Sequence, residues 1–83
     1  MSYCLAVFSS ITYANRIKKI LDKKIGYAAL MHAPSALSQK GCAYCLRFRK
    51  EHLDEVIRVT ESNNIAVKGF YEETQNGYRS ISA

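Results

Sequence analysis

The chain has little of what builds a secreted or membrane-bound protein. It has no tryptophan, one proline and only three cysteines among its 83 residues. Three cysteines are too few, and odd in number, for the disulfide framework of a small secreted domain. No stretch approaches the ~18 consecutive apolar residues of a membrane span. The apolar run at residues 3–8 is too short for a secretory signal, and no basic residue precedes it. These absences predict a cytoplasmic protein without membrane association, whose cysteines stay reduced.

The composition predicts one small folded domain. Hydrophobic residues make up 48% of the chain and charged residues 23%, a balance too apolar and too mixed in charge for a disordered protein. A chain of 83 residues is also too short for a second core. Because a core of this size gives marginal stability, a homodimer or a tightly idealised fold is expected.

Hydrophobic periodicity predicts the first half of the fold. Residues 3–8 are almost wholly apolar, which is typical of a strand buried on both faces. Apolar residues then recur at helical spacing until Gly26, a residue suited to ending a helix. A second apolar run at residues 27–31 predicts another strand. Residues 32–41 hold the only proline and show no period, so they are predicted as a long loop.

The second half repeats this strand and helix pattern. Residues 42–49 alternate in polarity, which predicts a strand with one buried face. Residues 50–63 show helical spacing, and residues 65–71 predict a fourth strand. The order βαββαβ is that of a ferredoxin-like α+β sandwich, with a four-stranded antiparallel sheet and two helices on one face. The domain would span residues 1–71. The polar tail, residues 72–83, would either turn to form an extra edge strand or be frayed.

Cys42 opens the predicted third strand. In a ferredoxin-like sheet this strand runs antiparallel to the first, so Cys42 is expected near Ser9 and Ser10, at the start of the first helix. A helix N-terminus stabilises an anion and lowers the pKa of a thiol. The thiolate is the nucleophilic form of cysteine. The sequence therefore predicts a reactive Cys42 whose anion is stabilised by Ser9, Ser10 and nearby amides. The alternative is that Cys42 is simply a small core residue.

The other two cysteines give weaker indications of function than Cys42. Cys45 completes a CxxC spacing with Cys42, but in an extended strand their Cα atoms would lie ~10 Å apart, whereas a disulfide needs roughly 4.4–6.8 Å. Cys45 falls on the face predicted to be open, where a resolving thiol and chance placement are both compatible with the pattern. Cys4 is predicted to be a core residue. His32 with Cys42 and Cys45 lacks a fourth ligand for structural zinc, so no metal and no cofactor are predicted.

The net charge of +5 and the tyrosines raise an RNA-binding alternative. Residues 40–44, Lys-Gly-Cys-Ala-Tyr, resemble the start of a strand motif for RNA recognition, but Cys42 replaces its first stacking aromatic residue. That motif buries its eighth position, which would place Arg47 in the core at a high energetic cost. Nucleic-acid binding is therefore not favoured. An RNA- or protein-binding module without thiol chemistry stays as the alternative function.

Short motifs spread along residues 5–71 carry a family resemblance. They are the strand and turn Val7-Phe8-Ser9-Ser10, Ala14 in the first helix, Pro34 and Ser38 in the loop, Cys42, and the closing run at residues 65–71. In these features the chain resembles the Se/S carrier-like family, small domains otherwise of unknown function. It departs from the family pattern in three places: Ser35 replaces an arginine, Ala43 replaces a glycine, and Cys45 is additional.

The resemblance implies a carrier rather than an enzyme with turnover. Cys42 would hold sulfur or selenium as a persulfide or selenosulfide. Cys45 is a candidate resolving thiol because of its spacing from Cys42, and the resemblance does not imply that role. The implied partners are a sulfur or selenium donor enzyme and an acceptor protein.

Overall fold

Two helices and one antiparallel sheet make up the described part of the chain. The structure, a computed structural model, describes residues 2–34, 37 and 43–81. Its elements are β1 (Tyr3–Phe8), α1 (Ile11–Lys24), β2 (Ala29–His32), β3 (Tyr44–Arg49), a 3₁₀ turn (Lys50–His52), α2 (Leu53–Ser62), β4 (Gly69–Thr74) and β5 (Gly77–Ile81). The strand order is β2-β3-β1-β4-β5. The predicted α+β class is confirmed, but the predicted count of four strands is wrong, since five are found within these residues.

β1 is the central strand of the sheet. It pairs antiparallel with β3 on one side and with β4 on the other. Five of its six side chains are at most 1% exposed: Cys4, Leu5, Ala6, Val7 and Phe8. The wholly apolar run thus marks a strand covered on both faces, as predicted.

Both helices pack on the same face of the sheet. α1 contributes Ala14, Ile17 and Leu21, and α2 contributes Val56 and Val59. They meet a set of sheet side chains that includes Cys4, Ala6, Phe8, Leu46 and Phe48. Two helices on one sheet face were predicted, and this packing confirms them. Cys4 is a core residue, also as predicted.

Each helix is followed by a residue with a positive φ angle, and that residue is glycine after α1 and asparagine after α2. α1 is followed by Gly26, which has a φ of +80°, a conformation that glycine adopts without steric cost. α2 is followed by Asn63, whose side-chain amide donates to the Val59 carbonyl at 2.8 Å, and by Asn64, with a φ of 54°. Neither of the helices within the described residues is long and apolar enough to cross a membrane.

The strand predicted at residues 65–71 lies later in the chain. Ile65 and Val67 pack against the helix-side core before the strand begins, and β4 runs from Gly69 to Thr74. A two-residue turn then leads to β5, in which Gly77 pairs with Thr74 and has a φ of +134°. Residues of the polar tail therefore form the fifth, edge strand.

Candidate functional site

The start of β3 and the start of α1 lie at the same end of the sheet. Phe8, the last residue of β1, is paired with Tyr44, the first residue of β3. Ser9 is exposed and Ser10 is the N-cap of α1. The predicted antiparallel pairing of the first and third strands is confirmed. It brings the beginning of β3 close to the N-terminus of α1.

The first turn of α1 carries no negative charge. The Ser10 hydroxyl oxygen accepts a hydrogen bond from the Thr12 amide at 3.2 Å, and the turn contains no acidic side chain. The positive end of the helix dipole is thus not neutralised by a carboxylate of its own turn. Such a helix start can stabilise an anion brought close to it.

Cys42 lies outside the described residues, so its environment stays a prediction. The next residue, Ala43, is 3% exposed and belongs to the cluster on the face away from the helices. Its carbonyl oxygen accepts a hydrogen bond from the Ala33 amide at 2.9 Å. This bond extends the pairing of β2 with β3 by one step beyond His32 and Tyr44. Ala33 and Ala43 are therefore held next to each other.

Cys45 is fully buried, so the prediction that it lies on an open face is wrong. It does lie on the face away from the helices, beside Leu5 and Val7, but Ala33, Leu37 and Tyr71 pack against this cluster. The Tyr71 ring lies over Gly69, where a Cβ atom would come within 2.9 Å of it. Glycine at position 69 therefore leaves room for the Tyr71 ring, which packs on the cluster that contains Cys45.

Burial makes both described cysteines poor nucleophiles. It raises the pKa of Cys45 to about 11, with a smaller contribution from the negative charge of Glu73. Burial also raises the pKa of Cys4, again with carboxylates adding to the effect. The Cys45 Sγ atom is 4.0 Å from the His32 carbonyl oxygen, a long contact. Since the thiolate is the reactive form, neither thiol is poised for reaction at neutral pH. A resolving role for Cys45 stays a prediction.

His32 is exposed and its ring lies 5.0 Å from the ring of Tyr44, measured between centroids. Within residues 2–34, 37 and 43–81, no three His, Cys, Asp or Glu side chains come together in a way that could hold a metal ion.

Two charged clusters were not predicted from the sequence. Arg47 binds both carboxylate oxygens of Glu73, at 2.7 and 3.1 Å, and its guanidinium carbon lies 3.7 Å from the centre of the Tyr3 ring. These hydrogen bonds raise the pKa of Arg47 above its usual value. Twenty-six positions separate Arg47 from Glu73, so no local pattern could indicate their pairing.

The second cluster surrounds Glu72, which is only 7% exposed. Its carboxylate contacts Lys50, with 2.8 Å between Nζ and Oε2, and also accepts a hydrogen bond from Arg79. Hydrogen bonds from Lys50 and Arg79 lower the pKa of Glu72. This cluster joins the 3₁₀ turn that follows β3 with β4 and β5.

A family model described as "Putative Se/S carrier protein-like" matches residues 3–72. The chain belongs to this family. The match extends from β1 into β4 and includes Ser9, Ser10, Cys42 and Cys45. No curated protein and no solved structure matches the chain. The family description of this Se/S carrier-like domain names a carrier. Two of its three cysteines, Cys4 and Cys45, are buried.

Proposed function

We propose that this Se/S carrier-like domain holds sulfur or selenium on the thiol of Cys42 and passes it to an acceptor protein. The observation that supports Cys42 most directly is the burial of the other two cysteines. Cys4 and Cys45 are both 0% exposed, and burial raises the pKa of each thiol. A carrier thiol must be accessible and deprotonated. Neither described cysteine meets these conditions, which supports Cys42 as the carrier.

The geometry around Ser10 supports a stabilised thiolate. Phe8 is paired with Tyr44, so β3 begins at the end of the sheet where α1 begins. The order of the first four strands, β2-β3-β1-β4, supports a ferredoxin-like unit, the fold on which this expectation rests. We infer that the amides of the first turn of α1, with Ser9 and Ser10, stabilise the Cys42 anion.

The chemistry is a transfer without net oxidation. The Cys42 thiolate attacks the outer sulfur of a donor persulfide, R–S–SH. A new S–S bond forms to Cys42, the S–S bond of the donor breaks, and the donor leaves as its thiolate, R–S⁻. The products are Cys42–S–SH and R–S⁻, so atoms and electrons balance. Transfer to an acceptor thiolate repeats the same step. With selenium, the transferred atom is the selenium of R–S–SeH. Reduced thiols are needed throughout, which fits a cytoplasmic setting.

Intact mass spectrometry tests the proposal. The protein is incubated with glutathione persulfide without reductant, and the mass gain of one sulfur atom is followed in the wild type and in C42S. Matched controls are C4S and C45S, which remove the two buried thiols. We expect the adduct in the wild type and in both controls, and none in C42S. An adduct that persists in C42S, or no adduct in the wild type, would contradict the proposal.

A further inference from the structure

The basic charge of the domain is concentrated on α1. This helix carries one acidic residue, Asp22, and five basic residues: Arg16, Lys18, Lys19, Lys23 and Lys24. The segment formed by the 3₁₀ turn and α2 has the opposite balance, with four acidic residues: Glu51, Asp54, Glu55 and Glu61. The positive charge is therefore a property of one surface and not of the whole helical layer.

Four of the basic side chains on α1 have no ion-pair partner among the described residues. Lys18 binds Asp22 at 2.9 Å. Arg16, Lys19, Lys23 and Lys24 are exposed and form no ion pair with any residue that the structure describes. Exposed like charges on one helix repel each other. An acidic partner would relieve this repulsion.

Apolar side chains lie among these charges. Tyr13 is 45% exposed, and Ile20 is partly exposed although it also packs against the core. They are seven positions apart, so they share one side of the helix, and Arg16, Lys23 and Lys24 lie close to the same side. Two shallow depressions run along α1, and both are lined by Lys19 and Ile20. We call Tyr13, Arg16, Lys19, Ile20, Lys23 and Lys24 the α1 surface.

We propose that the α1 surface docks an acidic surface of the protein that donates the chalcogen. The inference rests on the proposed function, because it assumes that Cys42 receives sulfur or selenium. An apolar centre with a charged rim is the usual organisation of a protein interface. A nucleic-acid backbone would match the charges but would not cover Ile20. Tyr13 lies in the first turn of α1, so a donor docked here reaches the end of the sheet where β3 begins.

Peptide persulfides of matched length test the docking. Three probes carry one cysteine persulfide flanked by glutamates, glutamines or lysines. Transfer to the protein is followed by intact mass, with Lys19→Glu as the variant and Arg58→Glu as its control. Arg58 is also exposed on a helix. Both variants replace a basic side chain with glutamate, so they change the net charge by the same amount.

We expect the wild type to accept sulfur from the acidic peptide about tenfold faster than from the glutamine peptide at low ionic strength. Lys19→Glu should reduce this preference at least about threefold, whereas Arg58→Glu should leave most of it. The preference should disappear in about 1 M salt, where charges are screened beyond ~3 Å.

The outcomes separate this inference from the proposed function. If glutathione persulfide does not load the wild type, the carrier function fails. If it loads the wild type normally but the two variants change the peptide preference equally, net charge alone explains it and the docking proposal is overturned. It is also overturned if Lys19→Glu abolishes binding of a fluorescent oligouridylate while the peptide preference persists, because the surface would then be a nucleic-acid interface.

Discussion

Cys45 should be almost inert in the folded protein and should become reactive when its cover is reduced. Its pKa is raised from 9.0 to about 11. Two pKa units correspond to about a hundredfold smaller thiolate fraction at neutral pH, before any steric protection is counted. In C42S, which leaves only the two buried thiols, alkylation of Cys45 should therefore be at least about a hundredfold slower than in the urea-unfolded protein.

The perturbation is Leu37→Ala in the C42S background. Leu37 packs on the cluster that contains Cys45, and its truncation removes part of the cover. The alkylation rate of Cys45 should then rise, by up to about a hundredfold if the normal thiol pKa is restored. The measurement is iodoacetamide labelling at pH 7.5, stopped at intervals and assigned to each cysteine by peptide mapping.

Cys4 is an internal control in the same experiment. It is equally buried but belongs to the cluster under the helices, so Leu37→Ala should not change its labelling rate. If both cysteines become faster together, Leu37→Ala has loosened the whole domain instead of uncovering Cys45. If Cys45 in C42S reacts within about tenfold of its unfolded rate, the reasoning from burial is refuted.

Two further predictions concern stability. Ser10→Ala removes the N-cap hydrogen bond of α1 and should lower the free energy of unfolding by about 1 kcal/mol in urea titrations, whereas Ala at the exposed Ser9 should have little effect. An unchanged urea midpoint in Ser10→Ala would contradict the capping role. Because the pKa of Glu72 is lowered in the folded state, its stabilisation is present above its usual pKa and is lost as the pH falls below it. Glu72→Gln should therefore be less stable than the wild type at pH 7 and lose less stability between about pH 5 and pH 3. If the stabilities of the two proteins fall in parallel with pH, Glu72 is not responsible for the loss of stability in acid.

The sequence indicated those parts of the fold that depend on local patterns. The apolar run Tyr3–Phe8 is β1 with the predicted bounds. Alternation in β3 assigned Leu46 and Phe48 to the helix face and Cys45 to the other face. These assignments succeed because period-two and helical patterns reflect which side of an element is covered.

The errors arose where distant segments decide the structure. Ile65 and Val67 look like strand residues, yet they fill the core before β4 begins. Glu72 and Glu73 look like tail residues, yet both lie within β4, where Glu73 binds Arg47 and Glu72 binds Lys50 and Arg79. Cys45 looked open, yet Ala33, Leu37 and Tyr71 cover it. The first two lie in a segment with no periodic pattern, so the sequence did not indicate this cover.

The sequence predicted the strands and the helix start that surround the candidate site. The strand order predicts the pairing of β1 with β3 and places Ser9 and Ser10 at the start of the first helix, where Ser10 is the N-cap. The burial of Cys45 could not be predicted, because it depends on tertiary packing. Cys42 lies outside the described residues, so its role still rests on the sequence and on the proposal above.

β5 has a consequence for how the domain can be shortened. The family match ends at residue 72, but Phe70 pairs with Ile81, and Arg79 reaches back to Glu72. A chain cut after residue 72 would shorten β4 and leave it as an unpaired edge, and Ile81 would no longer pack against the core. The unpaired N–H and C=O groups of such an edge can form hydrogen bonds with a strand of another chain. Truncation to the matched region is therefore expected to produce aggregation rather than a smaller folded domain.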